Sequence, residues 1–382
     1  MTFKELGLSE VILKALEELG HVVPTSIQES AIPSIIKKKD LLGCAQTGTG
    51  KTAAFILPII ESLIKRPRNG KEIRALVLSP TRELAIQTRD NARKYAAHTD
   101  LKSAVILGGV NQRSQEDVLR KGVDILVATP GRLLDLVNQR IVKLDKIEIL
   151  VLDEADTMLD MGFIHDIRRV MTHVPKVRQT LMFSATMPKT IRVLANEFLH
   201  DPVIVETNNK SLTIDKINQS VYFVNTSDKS KLLLDILKGK EESSTLIFTR
   251  TKHGANKLAE TLQKNNLYSE VIHGNKSQNA RVKALSNFKS GRSKFLIATD
   301  IAARGIDIIE LGQVINYELP NLAESYVHRI GRTGRAGCCG TAISLCDKSE
   351  KKYLNDIERL IKQSIIVIKD HSYPANMATN NK

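Results

Sequence analysis

The chain has 382 residues, 42% of them hydrophobic, with 56 Lys and Arg against 42 Asp and Glu for a net charge of +14. This length suits two domains of ordinary size, and no apolar run approaches the ~20 residues of a membrane span. Met1-Thr2-Phe3-Lys4-Glu5 lacks a signal-peptide pattern, and Cys44, Cys338, Cys339 and Cys346 have neither zinc nor disulfide spacing, so free thiols in a reducing cytoplasm are expected.

In chain order, Leu6 to Leu19 reads as an amphipathic helix ended by Gly20 and Pro24. Pro24-Thr25-Ser26-Ile27-Gln28 opens a second helix. The Gln28 amide suits adenine N6 and N7, and Phe3 suits stacking on the same base; a solvated glutamine on a helix is the plainer alternative. Leu41-Leu42-Gly43-Cys44 is a short buried strand. It leads into Ala45-Gln46-Thr47-Gly48-Thr49-Gly50-Lys51-Thr52 and then a helix through Phe55, Ile59, Ile60 and Leu63. Strand, glycine-rich turn and helix start are the context of a phosphate-binding loop. Gly48 and Gly50 let backbone N–H groups turn toward an anion, and the helix adds its positive end. Lys51 suits β- and γ-phosphates, and Thr52 suits Mg²⁺.

Further strands are expected at Ala75–Leu78, Ser103–Leu107, Asp124–Ala128, Ile147–Leu152 and Thr180–Phe183, alternating with helices. That alternation means a parallel sheet, whose ligands bind outside the carboxyl ends of the strands. Those ends carry Thr81-Arg82, Gly108-Gly109, Thr129-Pro130-Gly131-Arg132, Asp153-Glu154-Ala155-Asp156 and Ser184-Ala185-Thr186. Hydroxyls, glycines and arginines suit a nucleic-acid backbone, although each motif alone is also an ordinary turn. Asp153, after the most apolar strand, fits Mg²⁺, and Glu154 fits the attacking water. Asp156 needs another partner, for which the Ser184 and Thr186 hydroxyls are available.

Residues 207–216 are polar and read as a linker between a domain at 1–206 and a second at 217–364, with 365–382 as a short tail. Residues 1–210 hold 30 Lys and Arg against 25 Asp and Glu, and 211–364 hold 24 against 16. A basic surplus on both halves suits a polyanion lying across them, or serves solubility alone. The second half repeats the alternation, with strands at Val221–Val224, Thr245–Thr249, Glu270–His273, Lys294–Thr299, Gln313–Tyr317 and Thr341–Leu345, but it has no phosphate loop. Its strand ends carry Arg250, Gly274 with Gln278 and Arg281, and Thr299 followed by Gly305 and Asp307. His328-Arg329-Ile330-Gly331-Arg332-Thr333-Gly334-Arg335 closes the set. The spaced pair Arg332 and Arg335 suits γ-phosphate charge supplied from a separate domain, and equally a phosphate-contacting basic loop.

In this order the motifs resemble the DEAD-box family of ATP-dependent RNA helicases, from Phe3 to about Arg359, with the DEAD letters at 153–156. Within it the chain looks most like the bacterial RhlE-type group. The alanine at Ala45 agrees with the family pattern, while the short, nearly uncharged tail departs from relatives with basic extensions. The resemblance implies two tandem RecA-like α/β domains separated by a cleft that takes ATP, Mg²⁺ and RNA. It implies adenine recognition by Phe3 and Gln28, coupling by Asp156, Ser184, Thr186 and His328, and completion of the nucleotide site by Gly305, Asp307, Arg332 and Arg335. RNA is expected along Thr81, Arg82, Gly109, Thr129, Arg132, Arg250, Gly274, Gln278, Arg281 and Thr299. The implied activity is RNA-dependent ATP hydrolysis with local, non-processive unwinding in the cytoplasm, alongside ribonucleoprotein or RNA-decay partners. An ATP-gated RNA clamp is the alternative. A small-molecule kinase, the rival from another class, leaves the second domain unexplained.

Overall fold

The computed structural model describes residues 1–46, 48–66, 70–207, 217–238, 244–303, 311–333 and 340–375. The chain divides into two compact units, Met1–Asn209 and Lys210–Lys382. In the first, β1 (Leu41–Cys44), β2 (Ala75–Leu78), β3 (Ser103–Ile106), β4 (Ile125–Ala128), β5 (Ile149–Leu152), β6 (Gln179–Ser184) and β7 (Val203–Glu206) form one sheet. Its order is β3-β4-β2-β5-β6-β1-β7, and every pairing is parallel.

The strands are apolar on both faces because helices cover both. Odd-numbered strand residues such as Leu41, Val77, Val127, Val151 and Leu181 join one core cluster. It lies against α2 (Ser26–Ile36), α3 (Lys51–Ile64) and α4 (Arg82–Tyr95). Even-numbered residues such as Leu42, Leu76, Leu126, Leu150 and Met182 join a second cluster. That one packs on α6 (Pro130–Asn138), α7 (Ala155–Asp160), α8 (Ile164–Met171) and α9 (Lys189–Phe198). The period of two along a strand sends alternate side chains to opposite layers. The first helix, α1, spans Glu10–Glu18 and starts later than Leu6, because Gly7 turns the chain at φ 87° and Leu6 and Leu8 bury themselves as a loop. The remaining helix of this unit is α5 (Gln112–Arg120).

The second unit has β8 (Ile217–Phe223), β9 (Thr245–Thr249), β10 (Ser269–Ile272), β11 (Phe295–Thr299), β12 (Gln313–Asn316), β13 (Gly340–Cys346) and β14 (Ile366–Ile368). The order β10-β11-β9-β12-β13-β8-β14 repeats the first sheet strand for strand. Its helices are α10 (Lys229–Leu237), α11 (Lys252–Lys264), α12 (Gln278–Lys289), α13 (Asp300–Ala303), α14 (Ala323–Ile330) and α15 (Lys351–Ile361).

Two strands go beyond the sequence reading. β7 pairs with β1 at the edge of the first sheet, and β14 pairs with β8 at the edge of the second. The expected tail at 365–382 is therefore corrected in its first part. Ile366–Ile368 belongs to the sheet, and Ala375 donates its N–H to the Phe223 carbonyl at 3.0 Å. Both added strands are short β-branched runs, Val203-Ile204-Val205 and Ile366-Val367-Ile368, and as edge strands they leave much of that surface exposed (Ile366 67%), so their place in the sheets comes from the pairing and not from a buried pattern. Residues 208–216 of the expected linker lie outside the described residues.

Candidate nucleotide and nucleic-acid sites

The loop after β1 turns on two left-handed glycines, Gly48 (φ 85°) and Gly50 (φ 89°), and α3 starts at Lys51. A side chain at Gly50 would run into the Gln28 amide, so glycine is required there by space as well as by φ. The Lys51 ammonium donates to the Ala45 carbonyl at 2.6 Å, and the Thr49 hydroxyl donates to Gln46 O at 2.7 Å. Ala45 N–H donates to Ser184 O at 3.1 Å, which pins the loop to the end of β6. Thr52 is half-buried on the first turn of α3, and Thr47 lies outside the described residues.

Gln28 stands beside this loop as expected, but its amide already has two partners. Its Oε1 accepts the Thr25 N–H at 2.9 Å, and its Nε2 donates to Gly50 O at 3.1 Å. The first contact is half of a capping box at the start of α2. Phe3 is 6% exposed within the α1–α3 core cluster, which leaves little of its ring to a base.

Asp153 and Glu154 follow β5 and are both buried. Burial, then the Glu154 charge, pushes the Asp153 carboxyl up to about 7, against the pull of Lys51. Its Oδ2 is buried and has no partner among the described residues. Such an oxygen fits a cation. Glu154 holds a left-handed backbone (φ 49°, ψ 56°) at the start of α7, and its Oε2 accepts the Thr157 hydroxyl at 3.3 Å. Asp156 finds its partner after β6. Its Oδ2 accepts Ala185 N–H (3.0 Å), Thr186 N–H (2.9 Å) and the Thr186 hydroxyl (3.0 Å). Ser184 does not reach it; its hydroxyl donates to Thr186 O at 2.7 Å.

Further along the strand order, Thr81 caps α4 by accepting Leu84 N–H at 3.3 Å. The Arg82 guanidinium lies against Gly109 (φ 70°), where a Cβ would meet its Nη2 at 2.8 Å. Thr129 is the residue before α6, and Arg132 on its first turn bonds Asp135 and, through Nη2, Gln112 Oε1 at 3.1 Å. The strand order explains the division. β3, β4 and β2 are neighbours and carry Gly109, Thr129, Arg132, Thr81 and Arg82, whereas β5, β6 and β1 are neighbours and carry the carboxylates, Ser184, Thr186 and the phosphate loop.

The second unit groups its backbone-contact residues in the same way. β10, β11 and β9 are neighbours and carry Gly274, Gln278, Arg281, Thr299 and Arg250. Gly274 faces open space, and Arg281 Nη2 donates to Ala302 O at 3.4 Å. Arg250 is held inward, with its N–H on Glu318 (2.7 Å) and Nη2 at 3.0 Å from Glu350. His328 and Arg332 line a pocket with Phe248, Asp300, Ser325 and Arg329. Arg329 is 1% exposed and bonds both Asp300 oxygens at 2.6 and 2.7 Å. Gly305, Asp307 and Arg335 lie outside the described residues.

The sequence model of the DEAD/DEAH box helicases matches residues 25–194, and that of the helicase conserved C-terminal domain matches 228–337. The ATP-dependent RNA helicase CshA of Limosilactobacillus reuteri is 43% identical over 371 residues, covering 97% of this chain and 74% of that protein. The chain belongs to the DEAD-box ATP-dependent RNA helicases. The DEAD-box ATP-dependent RNA helicase RhpA of Helicobacter pylori is 42% identical across 95% of this chain and 73% of its own length. Among solved structures, S. cerevisiae Dbp5 bound to RNA and ADP BeF3 matches with a TM-score of 0.86 at 33% identity, covering 96% of this helicase and 95% of that chain. Among the described residues of the helicase, no helix is long and apolar enough to cross a membrane.

Sequence reasoning missed several residues of these sites. Gln112 and Gln115 lie behind the Gly108-Gly109 turn, and only their polarity at the start of a helix marks them. Arg329 stands inside a quoted motif and Asp300 directly follows Thr299, yet nothing in their spacing shows that they pair.

Proposed function

We propose that ATP binding and hydrolysis drive this helicase to close its two units on single-stranded RNA and so separate short duplexes locally. The observation that carries the reading is the split along each sheet. In the first unit nucleotide-type residues stand on one set of neighbouring strands and backbone-contact residues on the other, and in the second unit the backbone-contact residues gather on the corresponding strands. Two ligands that both favour the closed form must strengthen each other's binding.

In this reading Gln28 recognises adenine, with a lesser contact from Phe3, and the loop from Ala45 to Thr52 wraps the phosphates. Lys51 leaves the Ala45 carbonyl for the β- and γ-phosphates. Thr52 and Asp153 hold Mg²⁺ largely through water, and the partnerless Asp153 Oδ2 supports that assignment. The bound cation offsets phosphate charge. Glu154 accepts a proton from, or orients, the water that attacks the γ-phosphorus. Asp156, with Thr186, Ser184 and His328, relays the nucleotide state to the RNA side. Gly305, Asp307, Arg332 and Arg335 complete the nucleotide site, the arginines at the γ-phosphate. RNA runs over Thr81, Arg82, Gly109, Thr129, Arg132, Arg250, Gly274, Gln278, Arg281 and Thr299. The buried cysteines Cys44 and Cys346, neither of them in a disulfide, suit a reducing cytoplasm, with ribonucleoprotein or RNA-decay proteins as partners.

The test is Glu154→Gln. It should keep ATP and RNA binding, lose turnover by about 10²-fold or more, and accumulate a long-lived complex with both ligands. Near-normal turnover would remove Glu154 from the chemistry.

A further inference from the structure

One helix joins two of the segments assigned to RNA. The α5 side chain Gln115 is 7% exposed and clasps the end of β3: its Oε1 accepts Leu107 N–H at 2.9 Å and its Nε2 donates to Leu107 O at 3.2 Å. That clasp fixes α5 to the base of the Gly108-Gly109 turn, against which Arg82 lies. The first residue of α5, Gln112, reaches the other way. Its Oε1 accepts Arg132 Nη2 at 3.1 Å, and its Nε2 donates to Gln139 Oε1 (2.7 Å) and Glu116 Oε1 (2.9 Å). Gln139 Nε2 donates in turn to Asp135 Oδ1 at 2.8 Å, and Asp135 holds Arg132 Nη1. Arg132, Asp135, Gln139 and Gln112 thus form a closed ring between α5 and α6.

Each Arg132 Nη carries two N–H donors, and the ring uses one from each. A guanidinium held on two sides keeps its plane fixed and meets a phosphate without first losing rotamer freedom. We infer that Gln112 is a positioning residue for RNA binding: with Gln115 it locks Arg132 to the Gly109 turn, so that both meet the nucleic-acid backbone as one preset surface. The inference rests on the assignment of Arg132 to RNA.

The test compares Gln112→Ala, Arg132→Ala and the double variant, in the full chain, with a labelled single-stranded RNA oligomer. RNA Kd and the RNA KM of the ATPase should rise about fivefold to tenfold in Gln112→Ala, the scale of one ordinary hydrogen bond. kcat at saturating RNA and the KM for ATP should stay within about twofold, because the ring touches nothing on the nucleotide strands. Arg132→Ala should weaken RNA at least as much, and the double variant should match Arg132→Ala. Two results overturn the inference for Gln112 alone: a Gln112→Ala chain with wild-type RNA affinity while Arg132→Ala is weakened, or a double variant whose loss is the product of the two. Wild-type affinity in Arg132→Ala removes Arg132 from the RNA surface, and the role of Gln112 with it.

Discussion

Gln28 does two jobs with one amide, and variants separate them. Its oxygen caps α2 through the Thr25 N–H, and its nitrogen braces Gly50 in the phosphate loop. Gln28→Ala loses both, so it should cost about 1 kcal/mol of cap and lower Tm by about 2–4 °C, as well as raise the KM for ATP. Gln28→Glu keeps the acceptor toward Thr25 with a negative charge at a helix N-terminus, so the cap should survive and Tm should fall less than in Gln28→Ala, although the donor to Gly50 O is lost. It cannot donate to adenine N7, and ATP binding should weaken by roughly 1–3 kcal/mol. Thermal melting beside ATP titration checks both, and a Gln28→Glu chain that binds ATP like the wild type refutes adenine reading. At this scale the sequence was legible where one residue type after an apolar strand has one chemistry, as with Lys51 and Asp153. It was not legible where a side chain serves a neighbour that only the fold supplies. The Gln28 brace on Gly50, the two N–H groups that Asp156 takes from Ala185 and Thr186, and the inward hold on Arg250 by Glu350 are of that kind.

The two strand-to-helix junctions that correspond in the sheets differ in what meets their lysine. β1 leads to α3, whose first residue is Lys51, and β8 leads to α10, whose first residue is Lys229. Lys229 is 1% exposed, and two carboxylates take its ammonium, Glu350 and Asp347, the latter at 3.2 Å. Burial pushes the Asp347 carboxyl up, but Ser349 and Lys229 outweigh it and hold the group at about 2; Glu350 is more deeply buried and ends above its ordinary value. The likeness of the two junctions was hidden in the sequence because the second keeps the lysine and none of the glycines. Lys229→Met leaves buried carboxylates short of a cation, and it should cost about 3–5 kcal/mol and shift unfolding of the second unit down by about 1.5–2.5 M urea. Adding Glu350→Gln should recover part of that loss. An unchanged urea midpoint in Lys229→Met would show that the ammonium is solvated and the cluster adds no stability.

At the scale of the whole molecule, the alternation of strands and helices foretold two parallel sheets, whereas the strand order that sorts the sites did not follow from it. Chain order interleaves the motifs; only the crossovers bring β3, β4 and β2 together, and β10, β11 and β9 likewise. In the proposed reading the polymer along these ends meets Thr81, Arg82, Thr129, Arg132, Arg281 and Thr299, which are hydroxyls and arginines with no aromatic ring to stack a base. Backbone contacts fix a strand in place without reading its bases, and at such a surface the 2′-OH alone separates RNA from DNA. ATPase stimulation should therefore be similar for poly(U) and poly(A), strong for RNA, and weak for single-stranded DNA of equal length. Affinity should fall with salt at a log–log slope of about −0.7 per phosphate neutralised. Arg132→Ala should make that slope shallower by about one phosphate, whereas Glu154→Gln, which meets no phosphate of the polymer, should leave it alone. Rates and affinities with matched RNA and DNA oligomers over a salt series decide the matter. Equal stimulation by DNA would mean that the hydroxyl-bearing residues do not read the sugar, and a slope unchanged in Arg132→Ala would place the strand elsewhere on the first unit.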